Sequence, residues 1–358
     1  MWPYILLVAI PCLTARMELR PGMTLQIGRQ SNQAMKIFWG LLVVLLVLRH
    51  DRVGIDLKTY KHIFLYIAQS DWNRAIGRSP EIGSNLLLKL LSCITDDFRW
   101  VMVVAGLLGT CFVARAYVRY TEDALLSIAL FVIMPNFVLL FSGLRQAIAI
   151  SIGFVAFEFV RKKKVPAFLA VVTLAMTIHI SAFMLLMLYP LYYLRIRKRS
   201  MLWVVPALGV LLAFNQQIFV ILTGVLNRFT KYDGRVSSTG AYTMLILFAC
   251  FAVFAYVIPE ESQLDADTMG MRNYLMFAVV LQMFAPLHDL AMRMNYYYVV
   301  FIPLLMPRII KRCSIRWKQV AVVSRYVMVV FFLGYYVATV PKNNALQTYP
   351  YLFFWEKA

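Results

Sequence analysis

An apolar stretch of 30 residues, from Val165 to Leu194, constrains the fold more than any other feature of the chain. Basic clusters at 161–164 and 195–199 bracket it, and such clusters favour the cytoplasmic side of a membrane. One helix of this length would measure about 45 Å, too long for a hydrocarbon core of about 30 Å, and would separate the two clusters. Two short helices keep both clusters on one side. We therefore predict a turn near His179, in a recess below the outer surface.

Apolar runs of this kind fill most of the chain. It is 61% apolar and only 15% charged, whereas a soluble domain is about 25% charged. The runs lie at about 2–13, 36–48, 98–114, 124–141, 145–160, 165–178, 180–194, 201–222, 241–258, 272–288, 295–310 and 320–339. The sequence predicts an all-α polytopic membrane protein with about 12 transmembrane helices, 10 to 12 being compatible with the pattern. Residues 1–358 are expected to form a single membrane-embedded domain.

The net charge of +19 comes from basic residues in short clusters between these runs. Membrane orientation explains such clusters, so we expect no nucleic-acid partner. Alternation of the spans places both chain ends outside, together with the long segment 49–98 between spans 2 and 3. Within it, apolar residues recur at helical spacing around Ile63 and around Leu87. Two short amphipathic helices on the outer face are therefore predicted.

Cysteine and histidine spacing predicts neither a metal site nor a cofactor. The five cysteines are far apart in sequence, and no two of the four histidines form a ligand pair. There is also no glycine-rich phosphate loop and no clustered acidic motif that would hold a divalent cation. We expect a protein that works without a metal or a cofactor.

Arg145 is the most informative single residue. It lies at the outer start of a predicted span, where the helix dipole disfavours a cation. A helix start beside an arginine makes a good anion site. An arginine that extends to lipid phosphates is the plain alternative, and both interpretations stay open.

His179 is an ionisable group at the predicted recessed turn. Such a group inside a membrane domain is a candidate for function, and imidazole exchanges protons near neutral pH. The alternative is a histidine that bonds to a neighbouring helix.

Further charged residues share the outer face. Arg49 follows a predicted span, Asp56 and Glu81 lie in the outer segment, and Arg293 lies beside a short outer turn. Asp56 could be a helix N-cap, and Arg293 could pair with Asp289 one helical turn away. Their common side suits an anionic substrate whose polar part lies outside the membrane.

At these residues the sequence resembles the EpsG-like branch of the Wzy-type polysaccharide polymerases. The matching pieces cover about residues 49 to 307: Arg49, Gly54-Ile55-Asp56, Tyr60, Pro80-Glu81-Ile82-Gly83 with Leu86-Leu87, Leu144-Arg145-Gln146-Ala147-Ile148-Ala149, Ala175-Met176-Thr177-Ile178-His179-Ile180-Ser181-Ala182, and Arg293 before Tyr296-Tyr297. The pieces around Arg145 and His179 are the more specific. The chain departs from the family pattern at 56–60 and at 79–81.

The resemblance implies a glycosyltransferase with a GT-C-like architecture at the outer face of the bacterial inner membrane. Such an enzyme moves a glycan chain from undecaprenyl pyrophosphate to an incoming lipid-linked repeat unit, and a chain-length regulator protein is a further expected partner. The base that accepts the acceptor proton would be His179, Glu81 or Asp56. The residues that would contact the pyrophosphate or the glycan are Arg145, Arg293, Arg49, Tyr60 and Gln146.

Rival functions from other classes fit the composition as well. A lipid-linked oligosaccharide flippase would need charges along a central cavity and no recessed base. A membrane acyltransferase would carry its key histidine near the first helix with an arginine close by, and residues 1–48 contain no histidine. A scaffold protein would have no need of charges gathered on one face.

Overall fold

A computed structural model describes residues 1–18, 31–226, 238–316, 318–339 and 346–356. These residues are predominantly helical and contain no strand beyond one isolated bridge between Arg49 and Phe353, which confirms the predicted all-α class. The helices are α1 (Trp2–Glu18), α2 (Ser31–Leu48), α3 (Leu57–Gln69), α4 (Trp72–Gly77), α5 (Ile82–Ser92), α6 (Phe98–Tyr120), α7 (Ala124–Ile133), α8 (Pro135–Ser142), α9 (Leu144–Arg161), α10 (Val165–Ile178), α11 (Leu188–Tyr193), α12 (Met201–Ala213), α13 (Asn215–Leu226), α14 (Ser238–Val257), α15 (Ala266–Gln282), α16 (Asp289–Val299), α17 (Ile302–Arg316) and α18 (Lys318–Thr339). Short 3₁₀ helices lie at Ile180–Met187, Lys198–Ser200 and Glu261–Gln263.

Several helices have the length and hydropathy of membrane spans. Among the described residues, α6, α14 and α18 are long and apolar enough to cross a bilayer on their own. Two further pairs, α7 with α8 and α12 with α13, are bent by 63° and 72° and would each count as one broken span. Their aliphatic side chains face outward, as at Val330, which is 70% exposed. Such surfaces need a hydrocarbon environment, and the chain is a membrane protein.

The chain divides into two compact units. The first comprises Met1–Leu186 and Val322–Ala358, and the second comprises Met187–Ala321. The single domain expected from the sequence stays a prediction.

Two parallel helices form the centre of the first unit. The position of Gly109 on α6 lies beside Ala147 near the start of α9, and the Phe112 N–H donates to Ser151 Oγ at 3.2 Å. Three turns further on, Tyr120 packs edge-on against Phe157. Contacts that advance together along both helices show that α6 and α9 run in the same direction, so their C-terminal ends lie together.

The predicted turn at His179 is confirmed. Helix α10 packs along α9 and ends at Ile178, and His179 has an extended backbone. A Cβ on Gly153, near the middle of α9, would lie 2.7 Å from Leu185 Cδ2. The 3₁₀ helix after His179 therefore runs back along α9, because its residues meet α9 progressively further from the α9 N-terminus.

The outer segment 49–98 folds into three short helices. The apolar face predicted for α3 is correct, since Ile63, Phe64 and Ile67 are buried against α6 and α9. In α5 the buried face holds Asn85, whose side chain donates to the Ile76 carbonyl at 3.1 Å. The leucines of the predicted apolar face are partly exposed, and the short helix α4 was not predicted.

Lys89 explains how α5 buries a polar face. Its ammonium group donates to the carbonyls of Ile67, Ala68 and Ser70, at 3.3, 3.3 and 2.7 Å. These carbonyls lie at the C-terminal end of α3, where a cation is favoured. The side chain is only 8% exposed, so Lys89 binds α5 to α3 through bonds that water cannot replace.

We expect Lys89→Met to destabilise the outer segment. It keeps the aliphatic stem but removes a charged donor, a loss of about 1.5–3 kcal/mol. Hydrogen exchange should show faster exchange of the amides in α3 and α5. Lys61→Met is the control, because Lys61 is exposed and, among the described residues, forms an ion pair with Asp51 alone. Equal exchange in the two variants would show that Lys89 contributes nothing to the packing of α5.

In the second unit, a helix cap and two ion pairs meet at the start of α15. Asp265 caps that helix by accepting from the Thr268 N–H at 2.7 Å, and it pairs with Arg312 at 2.8 Å and Arg308 at 3.5 Å. Burial opposes ionisation of this carboxyl, but the cap and the two arginines lower its pKa overall. The two ion pairs connect the start of α15 to α17.

Candidate functional site

Glu81 is the centre of an ion cluster in the first unit. It lies immediately before α5, its side chain is 9% exposed, and it contacts residues 64 and 98 positions away in the sequence. Its Oε1 is 2.6 Å from His179 Nδ1 and accepts from the Ile180 N–H at 3.2 Å. Its Oε2 accepts from Arg145 Nη1. One carboxylate thus joins the two residues that the sequence singles out most strongly.

The electrostatics of the cluster determine which nitrogen of His179 carries a proton. Burial alone would raise the pKa of Glu81, but the hydrogen bond from His179 and the charge of Arg145 outweigh it and lower the pKa. Glu81 is therefore ionised and can only accept, so His179 Nδ1 is the donor. In neutral imidazole the lone pair then lies on Nε2, which has no hydrogen-bond partner within the described residues. The side chain is 20% exposed, so this lone pair can meet a substrate.

Arg145 combines an ion pair with unused donors. It is the second residue of α9, and its guanidinium lies 5.3 Å from the centre of the Tyr60 ring. Its Nη1 hydrogen-bonds to Glu81 and its guanidinium also hydrogen-bonds to Tyr60, but the buried Nε has no acceptor among the described residues. Helix α9 begins without a side-chain cap. A buried free donor beside an uncapped helix start is suited to an anion.

Asp56 is held at the edge of the same region. Its carboxylate accepts from Ser142 Oγ at 3.0 Å, and its N–H donates to the same oxygen at 3.2 Å. Asp56 occupies the N-cap position of α3, as the alternative interpretation predicts, but its side chain makes no capping hydrogen bond to that helix. Gly54 makes this approach possible, because it has φ +128° and a Cβ there would overlap the Phe141 carbonyl. Asp56 thereby connects the outer segment to the residues just before α9.

Two predicted binding residues are buried elsewhere in this unit. Arg49 is fully buried, donates to the Leu140 carbonyl at 3.1 Å and lies over the Phe141 ring. It makes no ion pair with Glu81, and its Nε and Nη2 have no acceptor. Gln146 is 2% exposed on α9. The structure thus does not bring Arg49 or Gln146 to the exposed side of the ion cluster.

Arg293 belongs to the second unit. It lies on α16, one turn before Tyr296, and His288 caps that helix by accepting from the Leu290 N–H at 3.0 Å. Its part in a shared site stays a prediction.

Gly83 sets the distance between α5 and the turn at His179. A Cβ at this position would overlap Thr177 Oγ1 and lie 3.2 Å from Ile178 Cδ1. Because Glu81 is two residues before Gly83, this close approach is what lets its carboxylate reach His179. The sequence shows the glycine, but its partner 94 positions along the chain is visible only in the fold.

We therefore expect Gly83→Ala to lower activity by separating Glu81 from His179, because proteins place such groups within about 0.5 Å. Gly83→Ala combined with Thr177→Ala removes the overlapping hydroxyl and should recover part of the loss. The measurement is how well each variant, at equal membrane levels, restores the phenotype of a strain that lacks the protein. Gly40→Ala is the control, since a Cβ there would meet nothing within 4 Å. Full activity of Gly83→Ala would contradict the role of this contact.

The lowered pKa of Glu81 also predicts that the folding stability depends on pH. A carboxyl whose pKa is lower in the folded protein stabilises the fold fully above its unfolded pKa, about 4.3. This contribution is lost as the pH falls through the still lower folded pKa. Melting temperatures measured downward from about pH 6 should fall less steeply for Glu81→Gln than for the wild type. Identical slopes would show that the pair adds no stability.

The contact between Ser142 and Asp56 was not predicted from the sequence. The position of Ser142 before Gly143 indicated only a helix start. Its partner Asp56 is 86 positions away, and no local pattern predicts such a contact.

The fold and the cluster define a membrane protein in which segment 49–98 supplies a carboxylate to a histidine at the turn after α10 and to an arginine at the start of α9. The family comparison agrees with this. The sequence model of the EpsG family matches residues 35–353, so the chain belongs to the EpsG family. No curated protein and no solved structure matches it.

Proposed function

We propose that the protein is a bacterial polysaccharide polymerase. It would transfer a glycan chain from undecaprenyl pyrophosphate to a lipid-linked repeat unit at the periplasmic face of the inner membrane, as in O-antigen synthesis. The observation that carries the proposal is the single carboxylate, Glu81, that contacts both His179 and Arg145. Membership of the EpsG family supports the same class of reaction.

In the proposed reaction His179 is the general base. Glu81 holds Nδ1–H, and Nε2 accepts the proton of the acceptor hydroxyl as its oxygen attacks the anomeric carbon of the donor. Glu81 itself is a poor base, because its lowered pKa keeps it a weak proton acceptor. Its role is to orient the ring and to stabilise the imidazolium that forms. Asp56, held by Ser142, is a secondary candidate for contact with the acceptor.

Arg145 would stabilise the leaving group. As the bond between the anomeric carbon and the pyrophosphate oxygen breaks, negative charge grows on that oxygen. The free donors of Arg145 and the uncapped N-terminus of α9 lie ready for this charge without reorganisation. The proton taken by His179 then passes to solvent or to the released lipid pyrophosphate. Tyr60 would line the same position, and no metal ion takes part.

The proposed architecture is GT-C-like, with about 12 crossings and an apolar tail that enters beside the recessed turn at His179. Helix α10, with 14 residues, is shorter than a full span, so the turn that follows it at His179 would lie in a recess below the outer surface. Arg293 from the second unit would contact the pyrophosphate or the glycan, and Arg49 would support the base of the outer segment from its buried position.

A strain that lacks the protein tests the function. We expect it to accumulate single repeat units on its surface, and we expect the wild-type chain to restore long polysaccharide ladders on a gel. A flippase would give another result, because without it no repeat unit would reach the outer side. Complete loss of surface repeat units in the deletion strain would therefore contradict the proposal.

A further inference from the structure

A groove of about 250 Å³ lies between the C-terminal ends of α6 and α9, at the opposite end of these helices from the Glu81 cluster. We propose that this basic groove binds one anionic phospholipid. The headgroup phosphate would lie against Arg115, Arg119 and Lys162, and the start of one acyl chain would lie along the apolar wall. This is a structural lipid site, separate from the substrates of the proposed polymerase.

The charge of the basic groove is not balanced by the protein. Glu158 is the one carboxylate among its lining residues, and it already accepts from the Tyr120 hydroxyl and pairs with Arg161 at 3.5 Å and Arg119 at 3.7 Å. The side chains of Arg115 and Lys162 have neither a hydrogen bond nor an ion pair within the described part of the chain. Two cations therefore face the groove without an anion.

The remaining lining fits an acyl chain. Phe112, Val155 and Phe159 line the groove, and Phe112 is 37% exposed. Helix α6 is long and apolar enough to span a bilayer, so its last turns lie at the level of the lipid headgroups. Arg115 and Arg119 occupy those turns. A basic pocket between spanning helices, with apolar walls below the cations, suits an anionic phospholipid.

Charge complementarity and position favour a lipid over other occupants. A small anion would use the cations but leave the aromatic wall exposed. A second copy of the chain, whose net charge is also +19, offers no excess of negative charge to balance the cations. A lipid supplies both a phosphate for the cations and a hydrocarbon chain for the apolar wall of the groove.

The proposal is tested on the purified full-length protein by native mass spectrometry. The probes are phosphatidylglycerol and phosphatidylcholine with identical acyl chains, each added to lipid-depleted protein. We expect one phosphatidylglycerol per chain to bind in preference to phosphatidylcholine. Equal retention of the two lipids would overturn the proposal, and so would dimers that form without lipid and exclude it. Inorganic phosphate at millimolar concentration should not displace the bound lipid, and displacement would identify a simple anion site.

Matched variants locate the lipid. Arg115→Gln with Lys162→Gln should weaken phosphatidylglycerol binding about 25-fold, roughly fivefold for each cation. Arg195→Gln with Arg197→Gln removes the same charge from another exposed basic cluster and should leave binding unchanged. Val155→Trp keeps every cation but fills the apolar wall, and it should also weaken binding. An equal loss in the control pair, or full binding by Val155→Trp, would show diffuse electrostatic attraction and would overturn the site.

Discussion

Arg145→Ala is expected to stop polymerisation while the protein remains folded in the membrane. Loss of one fixed donor to a developing anion costs about 10²–10³ in rate. Arg145 also balances the buried carboxylate of Glu81, so both the leaving group and the orientation of His179 are affected. The measurement is the rate of glycan elongation in membranes that contain equal amounts of wild-type and variant protein.

Arg145→Lys separates the two contributions. Lysine restores a positive charge beside Glu81 but lacks the planar fork whose remaining N–H groups would bind pyrophosphate. It should restore the thermal stability of the protein without restoring elongation. Arg52→Ala is the control, because Arg52 is an exposed residue of the outer segment. Long ladders from Arg145→Ala at normal protein levels would contradict the assignment.

His179→Ala is expected to lower elongation by about 10²–10⁴, the usual contribution of a positioned general base. The binding of the lipid-linked donor should change little, because in the proposed reaction His179 meets the acceptor hydroxyl. Elongation rates measured at several donor concentrations therefore should show a fall in kcat with little change in KM. His62→Ala removes an exposed histidine from α3 and serves as the control.

Glu81→Gln gives a related result through His179. An amide can either donate or accept, so it no longer selects the tautomer with a free Nε2 lone pair. We expect a fall in kcat close to that of His179→Ala, and little further loss in the double variant, because the two residues act as one unit. Fully additive losses would show that Glu81 and His179 act independently.

The turn at His179 could be predicted from the sequence because charge and length limit the choices. The basic clusters at 161–164 and 195–199 would lie on opposite sides of the membrane if the apolar stretch between them formed one spanning helix. The buried face of α3 could also be predicted, because Ile63, Phe64 and Ile67 recur at helical spacing and form one apolar stripe.

The buried face of α5 could not be predicted. Its leucines have the period of a buried stripe, but the helix buries Asn85 and Lys89 because both find backbone carbonyls. In a membrane protein the apolar side of a short helix can face lipid. The hydrophobic period therefore predicts the helix, but it does not predict which side is buried in the protein. The break between α7 and α8 was readable in principle, because Pro135 disfavours helical backbone at Met134.

The sequence predicted which residues matter in the ion cluster, but it did not predict the contacts between them. Arg145 and His179 could be singled out because a cation at a helix start and an ionisable group at a recessed turn are both unfavourable without a partner. Their shared partner is Glu81, which looked like one outer carboxylate among several. Arg49 shares the predicted outer face with Arg145, yet it is fully buried. Charge and position in sequence do not tell a solvent-facing arginine from a buried one.

The most direct test of the account is a reaction in a single detergent compartment with purified protein and lipid-linked repeat units. A polymerase must release one undecaprenyl pyrophosphate for each glycosidic bond, whereas a flippase has no reaction to perform without two sides of a membrane. We expect the wild type to release the carrier in step with chain growth, and we expect His179→Ala and Arg145→Ala to release it only at background rate. Chain growth without carrier release, or release by both variants at the wild-type rate, would contradict the central claim.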